Sequence, residues 1–328
     1  MFEGLVASVL ARYLGDFIEV DQLSKDLKMS LLSGLLSLES VAIKRECLSF
    51  LGLPLIVKYG SIKLLELKVP LSRIGSEPVI IKVSGISLVV SPKYAADASQ
   101  MNKNNQRKKM NWLEIDDLLE KSKAQEDESS EGSGSESSWS AKWYMQRIYD
   151  NVQLHLNNIK IRYEDDITIP KTPFVAGINI DRISLESTDE GWVPKFISGG
   201  DESFRMITIG NFSAYWNIGH FEEITTLENL ERFSVPLDEF LVAPVNAKAK
   251  LTINKNHLPT PDKPKIKANI EVEDFTVNLN DKQYKQVFSL LDVWYAYSKS
   301  EKHRIFRPSK TPHENPKAWW AYASTFKK

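Results

Sequence analysis

The sequence predicts a mainly β fold of the α+β class, built on one large antiparallel β unit with helices at its two ends. Three observations predict it. A pattern of eight residues, apolar at the first, third, sixth and eighth positions, recurs six times. Apolar residues at helical spacing bracket those repeats. A 42% hydrophobic share over 328 residues supplies enough apolar side chain for a sizeable core.

The first element spans residues 1–18. Phe2, Leu5, Val6, Val9, Leu10, Tyr13, Leu14, Phe17 and Ile18 fall on one helical face, so an amphipathic helix capping the β unit is expected there. Arg12 is the sole cation of its polar face, which argues against adsorption to anionic lipid by charge.

After Leu27 the apolar period drops to two. The repeats read Leu36, Leu38, Val41, Ile43; Ile81, Val83, Ile86, Leu88; Leu154, Leu156, Ile159, Ile161; Ile178, Ile180, Ile183, Leu185; Ile207, Ile209, Phe212, Ala214; and Ile270, Val272, Phe275, Val277. In each copy the apolar phase slips by one residue at the middle. An unbroken strand would then throw half its apolar side chains onto the opposite face. A bulge residue inserted at the slip returns them all to one face and bends the strand. The slips at Glu39-Ser40, Ser84-Gly85, Asn157-Asn158, Asp181-Arg182, Gly210-Asn211 and Glu273-Asp274 are mostly small or polar, as bulges require. Periodicity leaves a second solution open, in which strands change sheets midway, as in an orthogonal sandwich or a lipocalin-like barrel. The opposite phase, with Lys82, Ser87, Gln153, His155, Lys160, Arg162, Lys267 and Glu271, reads as solvated.

Further strands are expected at 27–32, 53–58, 61–69 and 247–253. Residues 95–138 break the pattern with a basic cluster at 103–109 and an acidic Ser/Gly-rich tract, the composition of a partly disordered insertion. Helices are expected near 139–150, 281–298 and 317–326, the second capped by Asn280 or Asp281. Pro308, Pro312 and Pro316 punctuate the linker to the third, so that 299–328 reads as a linker and an aromatic helix.

Charge and chemistry exclude several classes. With 42 Lys+Arg against 43 Asp+Glu, the chain lacks the basic excess of a nucleic-acid binder. Its single cysteine, Cys47, can build neither a disulfide framework nor a zinc knuckle. No apolar run approaches the ~20 residues of a spanning helix, and no signal peptide opens the chain. A cytosol-facing protein is therefore expected. Its five histidines show no ligand spacing, and no nucleophile elbow, Walker loop or dinucleotide fingerprint occurs. Glu164, Asp165 and Asp166 read as a solvated turn rather than metal ligands. Neither an enzyme nor a cofactor is expected.

Six strands of about 12 residues would make an apolar face of roughly 1,100 Å². Two capping helices would cover about half of it. The rest calls for a second protein layer or for apolar ligands.

The opening M-F-E-G-L-V-A-S-V-L-A-R-Y-L-G-D-F-I closely resembles the start of the chorein region that heads the vacuolar protein sorting thirteen family of bridge-like lipid transfer proteins. The likeness continues through S-G-L-L-S-L-E-S-V-A-I-K (33–44), L-P-L-I-V-K-Y-G-S-I (53–62), G-S-E-P-V-I-I-K-V (75–83), N-I-K-I-R-Y-E-D (158–165) and A-W-W-A-Y-A (318–323). The resemblance implies one long, strongly curved antiparallel sheet forming an apolar groove, a scoop capped by the N-terminal helix. It implies glycerophospholipid cargo held by acyl chains, and peripheral contact with organelle membranes. Residues 1–328 would be a single N-terminal unit of a longer chain, at the donor-membrane end of a bridge. The groove wall would comprise Leu36, Leu38, Val41, Ile43, Ile81, Val83, Ile86, Leu88, Leu154, Leu156, Ile159, Ile161, Ile178, Ile180, Ile207 and Ile209. A protein-docking scaffold and a closed carrier of one lipid are the competing expectations.

Overall fold

A computed structural model of the chain describes residues 15, 17–19, 34–70, 73, 76–92, 147–169, 172–197, 199–219, 229, 240–255, 264–304, 308 and 311–325. Alternating apolar residues produce eight strands: β1 (Leu35–Ala42), β2 (Leu55–Lys68), β3 (Ile80–Pro92), β4 (Gln153–Asp165), β5 (Phe174–Thr188), β6 (Glu202–Ile218), β7 (Phe240–Asn254) and β8 (Ile266–Val272). They form one curved sheet in the order β1 to β8. The first and last strands are not neighbours, so the sheet is open and neither barrel nor sandwich is formed. Two helices follow, α1 (Asp281–Arg304) and α2 (Pro316–Thr325). The first is six residues longer than the 281–298 expected from its apolar face.

The expectation of a wholly antiparallel sheet is corrected at one place. β3 and β4 pair in parallel, from Ile80↔Gln153 to Val90↔Tyr163. A parallel pair needs a crossover of a dozen residues or more, and the connection across residues 93–152 supplies it. The two strands expected at 53–58 and 61–69 are one, β2, whose pairing with β3 shifts between Val57 and Tyr59.

Four of the six slips in apolar phase have a shared physical basis. Ser40, Asn158 and Asn211 have φ of 54°, 53° and 51°, and Gly85 has 70°. Side chains rarely adopt this left-handed backbone, and Asn and Gly adopt it most readily. The slips lie in register. Leu38↔Leu65 and Val41↔Ile62 flank Ser40 without a change of pairing, and Leu156↔Ile183 and Ile159↔Ile180 flank Asn158 in the same way. An extra residue in one strand therefore faces an extra residue in the next, instead of two facing one as in an isolated bulge. A two-against-one bulge occurs between β6 and β7, where Gly210 and Asn211 lie between the pairs Ile209↔Ala247 and Phe212↔Val245. There the Asn211 N–H donates to the Asn246 side-chain oxygen at 2.9 Å. The Asn211 side chain donates to Asp181 at 2.7 Å and that of Asn246 to Glu273 at 2.8 Å, a polar ladder across the outer surface.

Asn280 caps α1. Its side-chain oxygen accepts the N–H groups of Lys282 and Gln283 at 3.0 and 2.9 Å, while the Gln283 side chain accepts the Asn280 N–H at 3.0 Å. That reciprocal pair is a capping box. The expected helix 1–18 is described only at its end, where Ile18 bridges to Ile43 and is buried. The expected strand 27–32, the insertion 95–138 and most of helix 139–150 lie outside the described residues; 147–151 are helical.

Candidate functional site

Because the repeats are in register, their apolar residues line up strand by strand. One row runs Leu67, Ile81, Leu154, Leu185, Ile207, Ala249, Ile270. The next runs Leu38, Leu65, Val83, Leu156, Ile183, Ile209, Ala247, Val272. Beyond the slip, Ile62, Ile86, Ile159 and Ile180 form a third, and Leu88, Ile161, Ile178, Ala214 and Val242 a fourth. Cross-strand neighbours of this kind sit about 5 Å apart, so the rows make a continuous apolar surface.

All sixteen wall residues expected from the repeats lie on these rows or at their β1 margin, and the fold covers them unequally. Leu36, Leu38, Val41, Val83, Leu88 and Ile159 are buried, with Leu36 2% exposed. Ile43, Ile81, Ile86, Leu154, Leu156, Ile161, Ile178, Ile180, Ile207 and Ile209 are half-buried. On β8, Ile270 and Val272 are 66% and 50% exposed. Several members of the face escaped the sequence reading. Ile62, Leu65 and Leu67 belong to β2, and Ala247 and Ala249 to β7. Their strands lack the full repeat, and alanine alone is too weak a signal of a wall.

One end of the face is closed by aromatic packing. Phe174 stacks on Trp216 with ring centroids 4.5 Å apart, and Tyr163 meets Trp294 of α1 edge-on at 6.0 Å. Leu290 and Val287 of α1 join the same cluster. Gln286 fixes the helix in place by accepting the Trp216 indole N–H at 2.9 Å and donating to the Thr172 carbonyl at 3.3 Å. Burial and the hydrogen bond it donates to Asp165, at 2.5 Å, hold the Tyr163 phenol well above its ordinary pKa.

The opposite face is less solvated than its composition suggests. Arg162 and Ser87 are buried, and Glu164 accepts from Arg162 at 2.8 Å and from Lys58 at 3.3 Å. Tyr215 lies across Gly177 so closely that a Cβ there would stand 2.3 Å from its ring. Burial pushes the Tyr215 phenol up to about 12. The turn after β4 is likewise corrected. Glu164 and Asp165 are buried, and Asp165 accepts the N–H groups of Ile167 and Thr168 at 3.0 and 2.7 Å. Among the described residues no group of His, Cys, Asp and Glu could hold a metal ion.

At the other end of the rows the wall turns polar. Arg205 and Ser187 are cross-strand partners next beyond Leu185 and Ile207. Burial lowers the Arg205 pKa from its ordinary value. The adjoining helical turn places Asp150 2.6 Å from Lys255, and Asn151 exchanges hydrogen bonds with the Ile197 backbone at 2.6 and 3.0 Å.

What this arrangement offers chemically is a broad apolar wall without hydrogen-bonding demands, bordered by polar groups at the strand ends. No helix among the described residues is long and apolar enough to cross a membrane. Comparison with known proteins agrees with that geometry. Residues 1–326 match the VPS13-like family N-terminal region. The chain is 32% identical to the intermembrane lipid transfer protein VPS13 of Chaetomium thermophilum, over 98% of this chain and 11% of the relative. It is 30% identical to vps13A of Dictyostelium discoideum and 29% to VPS13A of Mus musculus, both named intermembrane lipid transfer proteins, over 98% of this chain and 10% of each. It thus spans about a tenth of the length of the curated relatives it matches. The chain belongs to the VPS13-like family, whose N-terminal region its apolar-walled sheet constitutes.

Proposed function

We propose that the apolar face binds several glycerophospholipids by their acyl chains and serves as the donor-membrane end of a lipid bridge between organelles. The carrying observation is the set of apolar rows that cross the strands in register and, except at Ile159 and Val242, stay half-buried from β4 to β7. Each acyl CH₂ laid against such a wall gains about 0.8 kcal/mol. Among the described residues the apolar rows carry no polar group at mid-strand that would discriminate between headgroups. A wall about 34 Å wide, eight strands at ~4.8 Å spacing, has room for more than one lipid, which disfavours a carrier of a single molecule. The names of the relatives support the transfer reading. The chain acts at the cytoplasmic surface, peripherally, where endoplasmic reticulum meets vacuole or endosome, mitochondrion or lipid droplet. There it continues into a longer groove. Nucleic acid and catalysis have no part in this reading.

Native mass spectrometry of the purified chain and a transfer assay between tethered liposomes test it. Ile180→Arg and Ile209→Arg place charges on the half-buried rows, where the chain can fold around them. Folded variants should lose bound phospholipid and transfer at least tenfold more slowly. Folded variants that bind and transfer as the wild type does would refute the groove, and a wild type that carries no lipid would favour a docking scaffold.

A further inference from the structure

Resting on the groove reading above, we infer that a second apolar stripe of α1, formed by Tyr284, Phe288, Leu291 and Tyr295, is an acyl-chain contact that walls the groove along its aromatic end. Helix α1 has two apolar sides. One, with Val287, Leu290 and Trp294, is packed into the cluster that holds Leu88, Tyr163, Phe174 and Trp216, so the helix sits on the apolar face itself. The other is open, from 48% exposed at Leu291 to 70% at Tyr295. Its spacing of four, three and four residues keeps it in one line, about 100° round the helix from the packed side. The Tyr284 and Phe288 rings lie 4.5 Å apart between centroids, so the stripe is a continuous surface. Among the described residues Val293 is the one other large apolar side chain of α1 left exposed.

Gln286 shows which way the stripe looks. Gln286 and Val287 lie on opposite edges of the packed side. Gln286 donates to the carbonyl of Thr172, in the turn beyond the ends of β4 and β5. Its edge therefore looks off the strand ends, and it continues round the helix into the exposed polar residues Lys282, Lys285 and Ser289. The Val287 edge looks the opposite way, back along the strands, and on this edge Leu291, Tyr284, Tyr295 and Phe288 follow. What lies in that direction is the half-buried part of the apolar face, beginning with Ile161 and Ile178. From the β8 side the exposed Phe275, Val277 and Leu279 lead up to the start of α1, and Val277 bridges to Val242 of the fourth row. From Tyr284 to Tyr295 the helix rises about 17 Å. That matches the roughly 15 Å that one acyl chain fills in half of a bilayer core. A helix that is apolar towards the groove and polar towards the strand ends suits a fatty chain lying in the angle between helix and sheet.

The test loads the purified chain with phosphatidylcholine that carries a diazirine at the end of one acyl chain, and maps the cross-links by peptide mass spectrometry. Labelled peptides are expected from residues 284–295 as well as from β5 and β6. Phe288→Asp and Leu291→Glu change exposed positions, where the chain can fold around them. Each should cut the phospholipid retained against excess acceptor liposomes about fourfold, the worth of one acyl CH₂. Lys285→Glu, on the opposite side, should leave retention unchanged. Should a stripe variant fail to fold, the wild-type cross-links decide. Cross-links on β5 and β6 with none on 284–295, or full retention by both stripe variants, overturn the inference and leave the groove intact. A wild type that takes up no lipid overturns the groove reading itself. Stripe variants that turn a dimer into a monomer while retaining lipid would make the stripe a contact between copies, and overturn its assignment to acyl chains.

Discussion

The strands β1 to β3 and the strands β5 to β8 carry the same apolar rows and live in different surroundings. In the first region Leu36, Leu38, Val41, Val83 and Leu88 are buried among Ile18, Leu65, Leu67, Val69 and the aromatic cluster. In the second, Ile178, Ile180, Ile207 and Ile209 are half-buried, and Ile270 and Val272 stand open. Identical patterning therefore does two jobs. Where neighbouring elements cover the wall it is a core, and where they do not it is a surface with unmet apolar area. Contiguous exposed apolar surface of this kind marks a binding face.

Three measurements sharpen or break that comparison. The largest effect is expected from truncation. Leu36→Ala should cost about 2–5 kcal/mol of unfolding free energy, the range for cavities in packed cores. Ile180→Ala, half-buried, should cost about 1 kcal/mol, in keeping with the smaller area it removes from water. Equal losses in urea denaturation would mean that the two regions are packed alike.

A second measurement uses pH to read how dry the far face of the sheet is. Tyr215 has a pKa raised from 10.0 to about 12 by burial, so its folded form holds its proton more tightly than the unfolded chain does. Its contribution is complete below pH ~10 and is lost as the pH climbs towards about 12, about 2–3 kcal/mol in all. Tyr163 on the groove face shifts in the same direction. Unfolding midpoints measured from pH 9 to 12 should fall less steeply in Tyr215→Phe than in the wild type. Parallel curves would mean that water reaches this phenol.

The smallest effect tests the slip row in both regions. Ser40, in the covered region, adopts left-handed backbone, and its side chain makes no hydrogen bond among the described residues. Ser40→Gly should stabilise by up to about 1 kcal/mol, by relieving that conformation. Asn211, in the open region, has the same backbone and its side chain donates to Asp181. Asn211→Gly should therefore be neutral or destabilising by about 1 kcal/mol, because the relief is offset by a lost hydrogen bond. Equal gains at both positions would mean that the polar ladder contributes nothing.

How far the sequence could be read follows from the range of the interactions involved. The six apolar repeats, the mid-strand slips and the cap of α1 are local, written within eight or so residues. Five of the repeats lie along strands and the cap is in place, while the sixth repeat runs past the end of β8 at Val272, beyond which only Val277 bridges to Val242. Ser40, Asn158 and Asn211 could be picked out because small or polar residues interrupt an alternation. The parallel pairing of β3 with β4 could not, since strand direction depends on where the chain between them travels. Nor could the alignment of the slips into one row, which needs the pairing of every strand with the next. The burial of Glu164, Asp165 and Arg162 was also hidden, because a charged residue on a polar phase looks the same whether it meets water or another charge.

By itself, then, the sequence determined that an apolar face exists and which side chains form most of it, because alternation is a property of neighbours along the chain. Only the tertiary structure decided which part of that face is core and which part is left open, and that Arg205 ends buried beside Ser187. Burial is set by what packs on top, and the partners responsible lie tens to hundreds of residues away.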